Sequence, residues 1–218
     1  EGSSNNKYFE VYNPTNDTID LLNYAFARVS NSPGNGIGIY EYWVDFDSGA
    51  VILPNDVYVV AHPSADSFIL AEADMSYGSL SNGNDGFALV YGAEPPSPVI
   101  PDSGGYFIVD WLGDWNGDPG SGWDVAGVNN ATANHTLIRK CDVTQGDTSW
   151  VNAAGTNTAN SQWIVKPSNY WNNIGYHEYN TSIYDTLTFT ICNGLSVTVG
   201  TNTYDSTGIY IDVLTAAN

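Results

Sequence analysis

Apolar and polar residues alternate with a period of two along most of this chain, and this pattern restricts its fold more than any other feature. Successive side chains of a β-strand point to opposite faces, so the alternation is typical of strands that bury one face. Clusters of Gly, Asn, Asp, Pro and Ser separate these segments and indicate turns. The sequence therefore predicts an all-β fold, with strands at residues 8–12, 40–46, 57–61, 87–91, 106–112, 135–140, 162–166, 186–192, 195–199 and 209–214.

One segment, residues 65–75, has helical spacing instead, with Asp66 as its expected N-terminal cap. The sequence changes in character across residues 171–184, and from there threonine alternates strictly with Leu187, Phe189 and Ile191. We therefore predict a first domain at residues 1–180 and a second, smaller one at 184–218.

The charge balance excludes several classes of partner. Acidic residues number 24 against five basic ones, which gives a net charge of −19. Such a chain repels phosphate backbones and anionic lipid, so we expect neither nucleic-acid binding nor membrane insertion. Its solubility rests on Asn, Thr, Ser and Gly, a composition typical of secreted β-rich proteins, and we expect an extracellular location. The first residues have no signal-peptide pattern, so we expect the numbering to begin inside a processed or trimmed polypeptide.

Several segments in fixed order resemble the bacterial lamin-tail domain. They are EGSSNNKYFEVYNP at residues 1–14, DVYVV at 56–60, NDGFALV at 84–90, DPGSGWDVAG at 118–127, TLIRK at 136–140 and QWIV at 162–165. The resemblance covers residues 1–178 and implies an immunoglobulin-like β-sandwich of a secreted, cell-surface protein. In that family a hydrophobic edge strand precedes the first segment, so the resemblance implies a sandwich that is one strand short.

The second domain resembles the opening of a short β-repeat from surface proteins of Bacteroidetes-like bacteria. The matching segments are ICNG at residues 191–194, SVTV at 196–199, Tyr204 and GIYIDVL at 208–214. This resemblance implies a small C-terminal β-hairpin or partial β-sandwich. In that repeat a further strand follows the position of Asn218, so both ends resemble incomplete patterns.

An incomplete sandwich exposes a sheet edge, and open edges recruit other strands. We predict that this strand-acceptor edge contains Phe9 and Val11. Three explanations remain open: the chain is trimmed, a neighbouring copy supplies the missing strand, or the edge closes locally.

A calcium site is one candidate for chemistry. Asp114, Asn116 and Asp118 place oxygen-bearing side chains at alternate positions of a turn, and Asp124 follows closely. Calcium prefers such oxygen ligands, although the loop departs from the EF-hand pattern. The alternative is that these are ordinary turn residues. No cofactor is required by any motif.

Trp115 and Trp171 lie beside Asn, Gly and Asp, so we predict that they are exposed and available for stacking on sugar rings. No Gly-x-Ser-x-Gly elbow accompanies any of the three histidines, and with 24 acidic residues carboxylate pairs arise by coincidence. We therefore expect that the chain is not an enzyme.

Two kinds of covalent modification are predicted. Cys141 and Cys192 form one disulfide or remain two free thiols, because neither belongs to a metal-binding cluster. Thr18, Thr186 and Ser206 each follow an aspartate and resemble the short O-glycan acceptor pattern of Bacteroidetes-like secreted proteins.

These features together predict a non-catalytic structural or adhesive module of the bacterial cell surface, and a filament subunit if copies complete one another's sheets. The expected partners are other copies of the chain, neighbouring domains of the same polypeptide, or glycans. Two alternatives are an accessory domain of a larger secreted enzyme and a calcium-dependent carbohydrate-binding domain.

Overall fold

The computed structural model describes residues 4–31, 33–80, 82–178 and 187–212, and it confirms an all-β fold. The chain divides into two compact units, Glu1–Asn180 and Thr181–Asn218, close to the predicted boundary. Among the described residues, no helix is long and apolar enough to cross a membrane.

Unit 1 contains eleven strands and two short α-helices in its described part. The strands are β1 (Tyr8–Tyr12), β2 (Ile19–Asp20), β3 (Tyr24–Val29), β4 (Tyr42–Asp45), β5 (Val51–Ile52), β6 (Val57–Ala61), β7 (Met75–Ser76), β8 (Gly86–Gly92), β9 (Tyr106–Leu112), β10 (His135–Arg139) and β11 (Trp163–Pro167). The helices are α1 (Ser67–Ala71) and α2 (Trp150–Ala154), and Leu21–Asn23 forms one 3-10 turn.

A four-stranded antiparallel sheet in the order β4-β3-β8-β9 lies at the centre of unit 1. Both of its faces are covered, because alternate residues of β3 enter two different cores. Phe26 belongs to a core that includes β6 and β8 residues, whereas Ala25 and Ala27 belong to one that includes Trp115 and Trp150. Small residues on the second face let the large indole rings approach the sheet closely.

Two smaller sheets cover this central one. In the first, β1 pairs antiparallel with β6, and β6 pairs in parallel with β7. Tyr58 and Val60 of β6 pack with Phe26 of the central sheet. The second is the antiparallel pair β10-β11, whose Leu137 and Val165 pack against the core that contains Trp115. The two cores therefore join the central sheet to the two smaller sheets.

Helix α1 lies within the predicted helical segment but is only five residues long. The Asp66 carboxylate accepts a hydrogen bond from the N–H of Phe68 at 2.9 Å, which is the predicted N-terminal cap. The predicted strands of unit 1 are present with shifts at their ends. Strand β3 and helix α2 were not predicted.

Unit 2 contains one antiparallel hairpin, β12 (Val197–Val199) and β13 (Asn202–Tyr204). The predicted strands at residues 186–192 and 209–214 are not formed in their described parts, residues 187–192 and 209–212. Both segments carry exposed apolar side chains, namely Leu187 and Phe189 in the first and Ile209 and Ile211 in the second.

Candidate strand-acceptor groove

A cavity of about 610 Å³ opens in unit 1 between strands β1 and β10. Residues of both strands form its walls, and residues of β3, β8 and β9 form its floor. Its volume is far larger than the voids of a close-packed protein interior, so it has room for a further chain segment. We call it the groove.

Strand β1 presents an open edge to the groove. The N–H of His62 donates to Lys7 O at 2.9 Å, and the N–H of Asn13 donates to Asp56 O at 2.9 Å. The backbone groups of Lys7 and Asn13 therefore face β6. Backbone groups of alternate residues point in opposite directions, so those of Phe9 and Val11 also face β6. Those of Tyr8 and Glu10 therefore point into the groove.

Strand β10 presents the opposite edge in the same way. The N–H of Lys140 donates to Gln162 O at 2.9 Å, so the backbone groups of Lys140 face β11. By the same rule the backbone groups of Leu137 and Arg139 point away from β11. Among the described residues, β1 pairs only with β6 and β10 only with β11. Tyr8 and Glu10 on one side of the groove, and Leu137 and Arg139 on the other, thus have backbone groups that pair with no described strand.

The floor of the groove is apolar and aromatic. Phe9 packs edge to face against Phe26, with ring centroids 5.0 Å apart, and its ring lies 5.9 Å from that of Phe87. Leu89 and Leu112 complete this surface. The predicted acceptor residues Phe9 and Val11 therefore lie on the edge strand, but they contribute side chains to the core rather than backbone groups to the open edge.

An ion pair lies at the β10 side of the groove. The Arg139 guanidinium donates to the Asp110 carboxylate at 2.9 Å and lies 4.4 Å from the centre of the Trp163 ring. Burial raises the pKa of the Asp110 carboxyl, although Arg139 and the backbone N–H of Asp147 act in the opposite direction. Nη1 of Arg139 is buried and has no hydrogen-bond partner among the described residues, so one donor at this wall is unused.

Glu10 is a half-buried carboxylate of β1. It accepts a hydrogen bond from the N–H of Gly175 at 2.7 Å. Burial, together with the negative charge of Glu72, raises the pKa of Glu10 to about 7. On the same side, the His177 ring lies 4.6 Å from the Tyr12 ring, and burial lowers the pKa of His177. Residues of the segment 173–177 therefore pack against β1 and also line the groove.

The raised pKa of Glu10 predicts a pH-dependent stability. Between its ordinary pKa of 4.5 and about 7, the folded chain binds a proton that the unfolded chain has released. Stability from this group is therefore present below pH 4.5 and is lost as the pH rises to 7. The difference corresponds to about 3 kcal/mol. We expect Glu10→Gln to raise the free energy of unfolding by up to this amount at pH 8 and to leave it unchanged at pH 4.

Urea denaturation at both pH values measures this effect. The substitution Glu94→Gln, at an exposed position, is the matched control for the loss of one negative charge. Equal shifts for the two variants at pH 8 would contradict the assignment to burial of Glu10.

The predicted calcium ligands are turn residues in the structure. The carboxylates of Asp114, Asp118 and Asp124 accept hydrogen bonds from the backbone N–H groups of Asn116, Gly120 and Asn130 at 2.8–2.9 Å. No group of three or more His, Cys, Asp or Glu side chains that could hold a metal is present in the described part of the chain. Calcium binding at this loop stays a prediction.

The prediction that Trp115 is an exposed sugar platform is wrong. Its side chain is 0% exposed, and its ring packs edge to face on Trp111 with centroids 4.9 Å apart. Trp171 is half-buried and stacks on Phe68 at 6.4 Å. Trp115 therefore has no face available to a sugar ring, whereas stacking of a sugar on Trp171 stays a prediction.

The predicted modification sites have different outcomes. Cys141 and Cys192 are free, exposed thiols, so the structure contains no disulfide between them. Thr18 and Ser206 are exposed, as an acceptor of a glycan must be. Thr186 lies outside the described residues.

Comparison with known proteins adds no assignment: no family model, no curated protein and no solved structure matches this chain.

Proposed function

We propose that this chain is a non-catalytic extracellular structural module whose copies join by β-strand complementation into a filament. The observation that supports this proposal is the groove, with one unpaired strand edge on each side and an apolar floor. In this proposal an extended segment lies in the groove and pairs with outward-facing backbone groups of β1 on one side and of β10 on the other. Adding a strand to an exposed sheet edge is a common mode of recognition between proteins.

Such a contact joins two different surfaces and can therefore extend beyond two copies. The groove of one copy would receive a different surface of the next copy, which is a head-to-tail contact. Head-to-tail contacts form rings if the rotation closes and filaments if it does not. The net charge of −19 keeps copies apart unless a specific contact outweighs their repulsion.

The proposed surface location and the absence of catalysis rest on the sequence. The acidic, Asn- and Thr-rich composition and the resemblance to a lamin-tail domain support an extracellular module of a bacterial surface.

Leu137→Pro tests the groove, because it removes an N–H that points into it. Proline lacks this donor and obstructs an incoming strand, while β10 keeps its bonds to β11 through the alternate residues. We expect wild-type protein to form linear polymers as its concentration rises, and the proline variant to remain at the 23.5 kDa of one chain. Light scattering after size-exclusion chromatography and negative-stain electron microscopy measure this.

Leu137→Ala is the matched control, since it removes the same side chain but keeps the N–H. It should assemble like the wild type. Wild-type protein that stays monomeric at every concentration, with calcium present, would overturn the proposal, and so would equal assembly of the proline and alanine variants.

A further inference from the structure

One segment of unit 2 has the properties of an unpaired strand. Residues 187–191, Leu-Thr-Phe-Thr-Ile, alternate apolar and threonine side chains. Leu187 and Phe189 are 61% and 52% exposed. None of the five residues takes part in a hydrogen bond with another described residue, so the backbone donors and acceptors of the segment are as unused as those of the groove.

We propose that residues 187–191 of a second copy fill the groove as a strand between β1 and β10. This inference rests on the proposed function and names the segment that completes the sheet. The apolar side chains of Leu187, Phe189 and Ile191 then contact the floor formed by Phe26 and Phe87. The threonines point outward to solvent, as period-two alternation requires.

The length and charge of the segment match the groove. It has five residues, the same number as β1 and β10, so it spans about 16 Å and is long enough to reach Tyr8 and Glu10 on one side and Leu137 and Arg139 on the other. It carries no charged side chain, although the chain as a whole has a charge of −19. A neutral strand avoids placing a further carboxylate beside the half-buried Glu10 and Asp110, whose negative charges would repel it.

The other exposed apolar segment of unit 2 fits less well. Ile209 and Ile211 are 98% and 88% exposed, but the intervening side chain is held within unit 2. Tyr210 stacks on Tyr204 at 4.0 Å, and the Tyr204 hydroxyl donates to the Asp212 carboxylate at 2.6 Å. Insertion of this segment would break these contacts and bring Asp212 toward the groove. It therefore supplies a control position.

Phe189→Asp in the full chain tests the assignment. It places a charge at the centre of the inserted strand, while the free chain loses no buried contact. We expect the concentration that gives half-maximal assembly to rise about 100-fold or more, because the burial of one large apolar side chain is lost and a carboxylate is buried. Ile209→Asp, at an exposed apolar position of the same unit, should assemble like the wild type. Equal loss of assembly in both variants would overturn the assignment.

Mixing two inactive variants gives a sharper test. Phe189→Asp keeps an intact groove, and Leu137→Pro keeps an intact donor segment. Each should be monomeric alone, and together they should form a complex of one copy of each, with twice the 23.5 kDa mass of the chain and no larger species. A mixture that stays monomeric would overturn the inference.

A peptide separates failure of this inference from failure of the proposed function. The peptide covers residues 186–192 with serine at position 192, and its control carries aspartate at position 189. We expect the first to bind the Phe189→Asp chain, the control not to bind, and neither to bind Leu137→Pro. Polymers of the wild type without peptide binding would overturn the donor assignment and leave the filament proposal intact. Peptide binding with a wild type that remains monomeric would overturn assembly between copies.

Discussion

Replacing Asn13 with alanine should lower the free energy of unfolding of unit 1 by about 3 to 4 kcal/mol. Asn13 is buried at the end of β1 and donates from Nδ2 to the carbonyl oxygens of Asp17, Ile52 and Leu53 at 2.8–3.0 Å. Its Oδ1 accepts from both the N–H and the hydroxyl of Thr15. Alanine leaves this buried set without its common partner.

The cost is large because the lost partner is not replaced by water at a buried site. Each buried donor or acceptor without a partner costs about 1 to 3 kcal/mol. Thermal unfolding followed by circular dichroism should show a decrease in Tm of about 10 °C for a unit of this size. Asn16→Ala, at an exposed position three residues along the same loop, should change Tm little.

A second variant at the same position isolates the donor. Asn13→Asp keeps an oxygen that accepts from Thr15, but its carboxylate cannot donate to the three carbonyl oxygens. We expect it to be at least as destabilising as alanine at pH 7. Wild-type stability for Asn13→Asp would show that these carbonyl groups do not depend on Asn13. Asn13 directly follows β1, which forms one side of the groove, so the same variants should also weaken assembly through the groove.

Short-range sequence patterns predicted most strands but missed the one at the centre of the molecule. Strand β3 is buried on both faces, so its two faces do not differ in the way that alternation requires. Arg28 adds a charge in the middle of this segment. Its charge is satisfied by Asp85 at 3.2 Å and by the Tyr42 ring at 4.3 Å, which are contacts between residues distant in sequence. No local pattern contains that information.

The error at Trp115 has a similar origin. Its neighbours Asp114, Asn116 and Gly117 are turn residues, and they do form a turn, since the Asp114 carboxylate accepts from the Asn116 N–H. Local sequence therefore predicted the backbone correctly and the side chain wrongly. The indole enters a core built from Tyr40, Trp111 and α2, and only the folding of these distant segments determines its burial.

Only one of the two strand edges that border the groove could be predicted from the sequence. The resemblance of the first segment implied an open edge at β1, and the structure places β1 at the edge of its sheet. The facing wall, β10, lies far away in sequence, and nothing in its own residues indicates that its outer edge is unpaired. Exposure of residues 187–191 was likewise not predictable, because their alternation is that of an ordinary strand within a sheet.

Gly86→Ala should be among the most destabilising single substitutions in unit 1, at about 3 to 5 kcal/mol. A Cβ at this position would lie 1.9 Å from the Asp114 carbonyl oxygen and 2.5 Å from its carbon, and both are backbone atoms that no side-chain rotation can move. Gly86 begins β8 and pairs with Val29 of β3 in the central sheet. Strand β8 therefore cannot move away from Asp114 without breaking its pairing with β3.

The loop at Asp114 must then move instead, by about 1.5 Å to restore an ordinary contact. Trp115 follows directly and is held between Trp111 and Tyr40, so the movement opens the core that these rings fill. Gly117→Ala is the control, because a Cβ there meets nothing within 4 Å and belongs to the same loop. Urea denaturation and the near-ultraviolet circular dichroism of the buried tryptophans measure the two parts of the effect. If Gly86→Ala unfolds at the same urea concentration as Gly117→Ala, the close approach of this loop to β8 does not hold, and neither does the burial of Trp115 that depends on it.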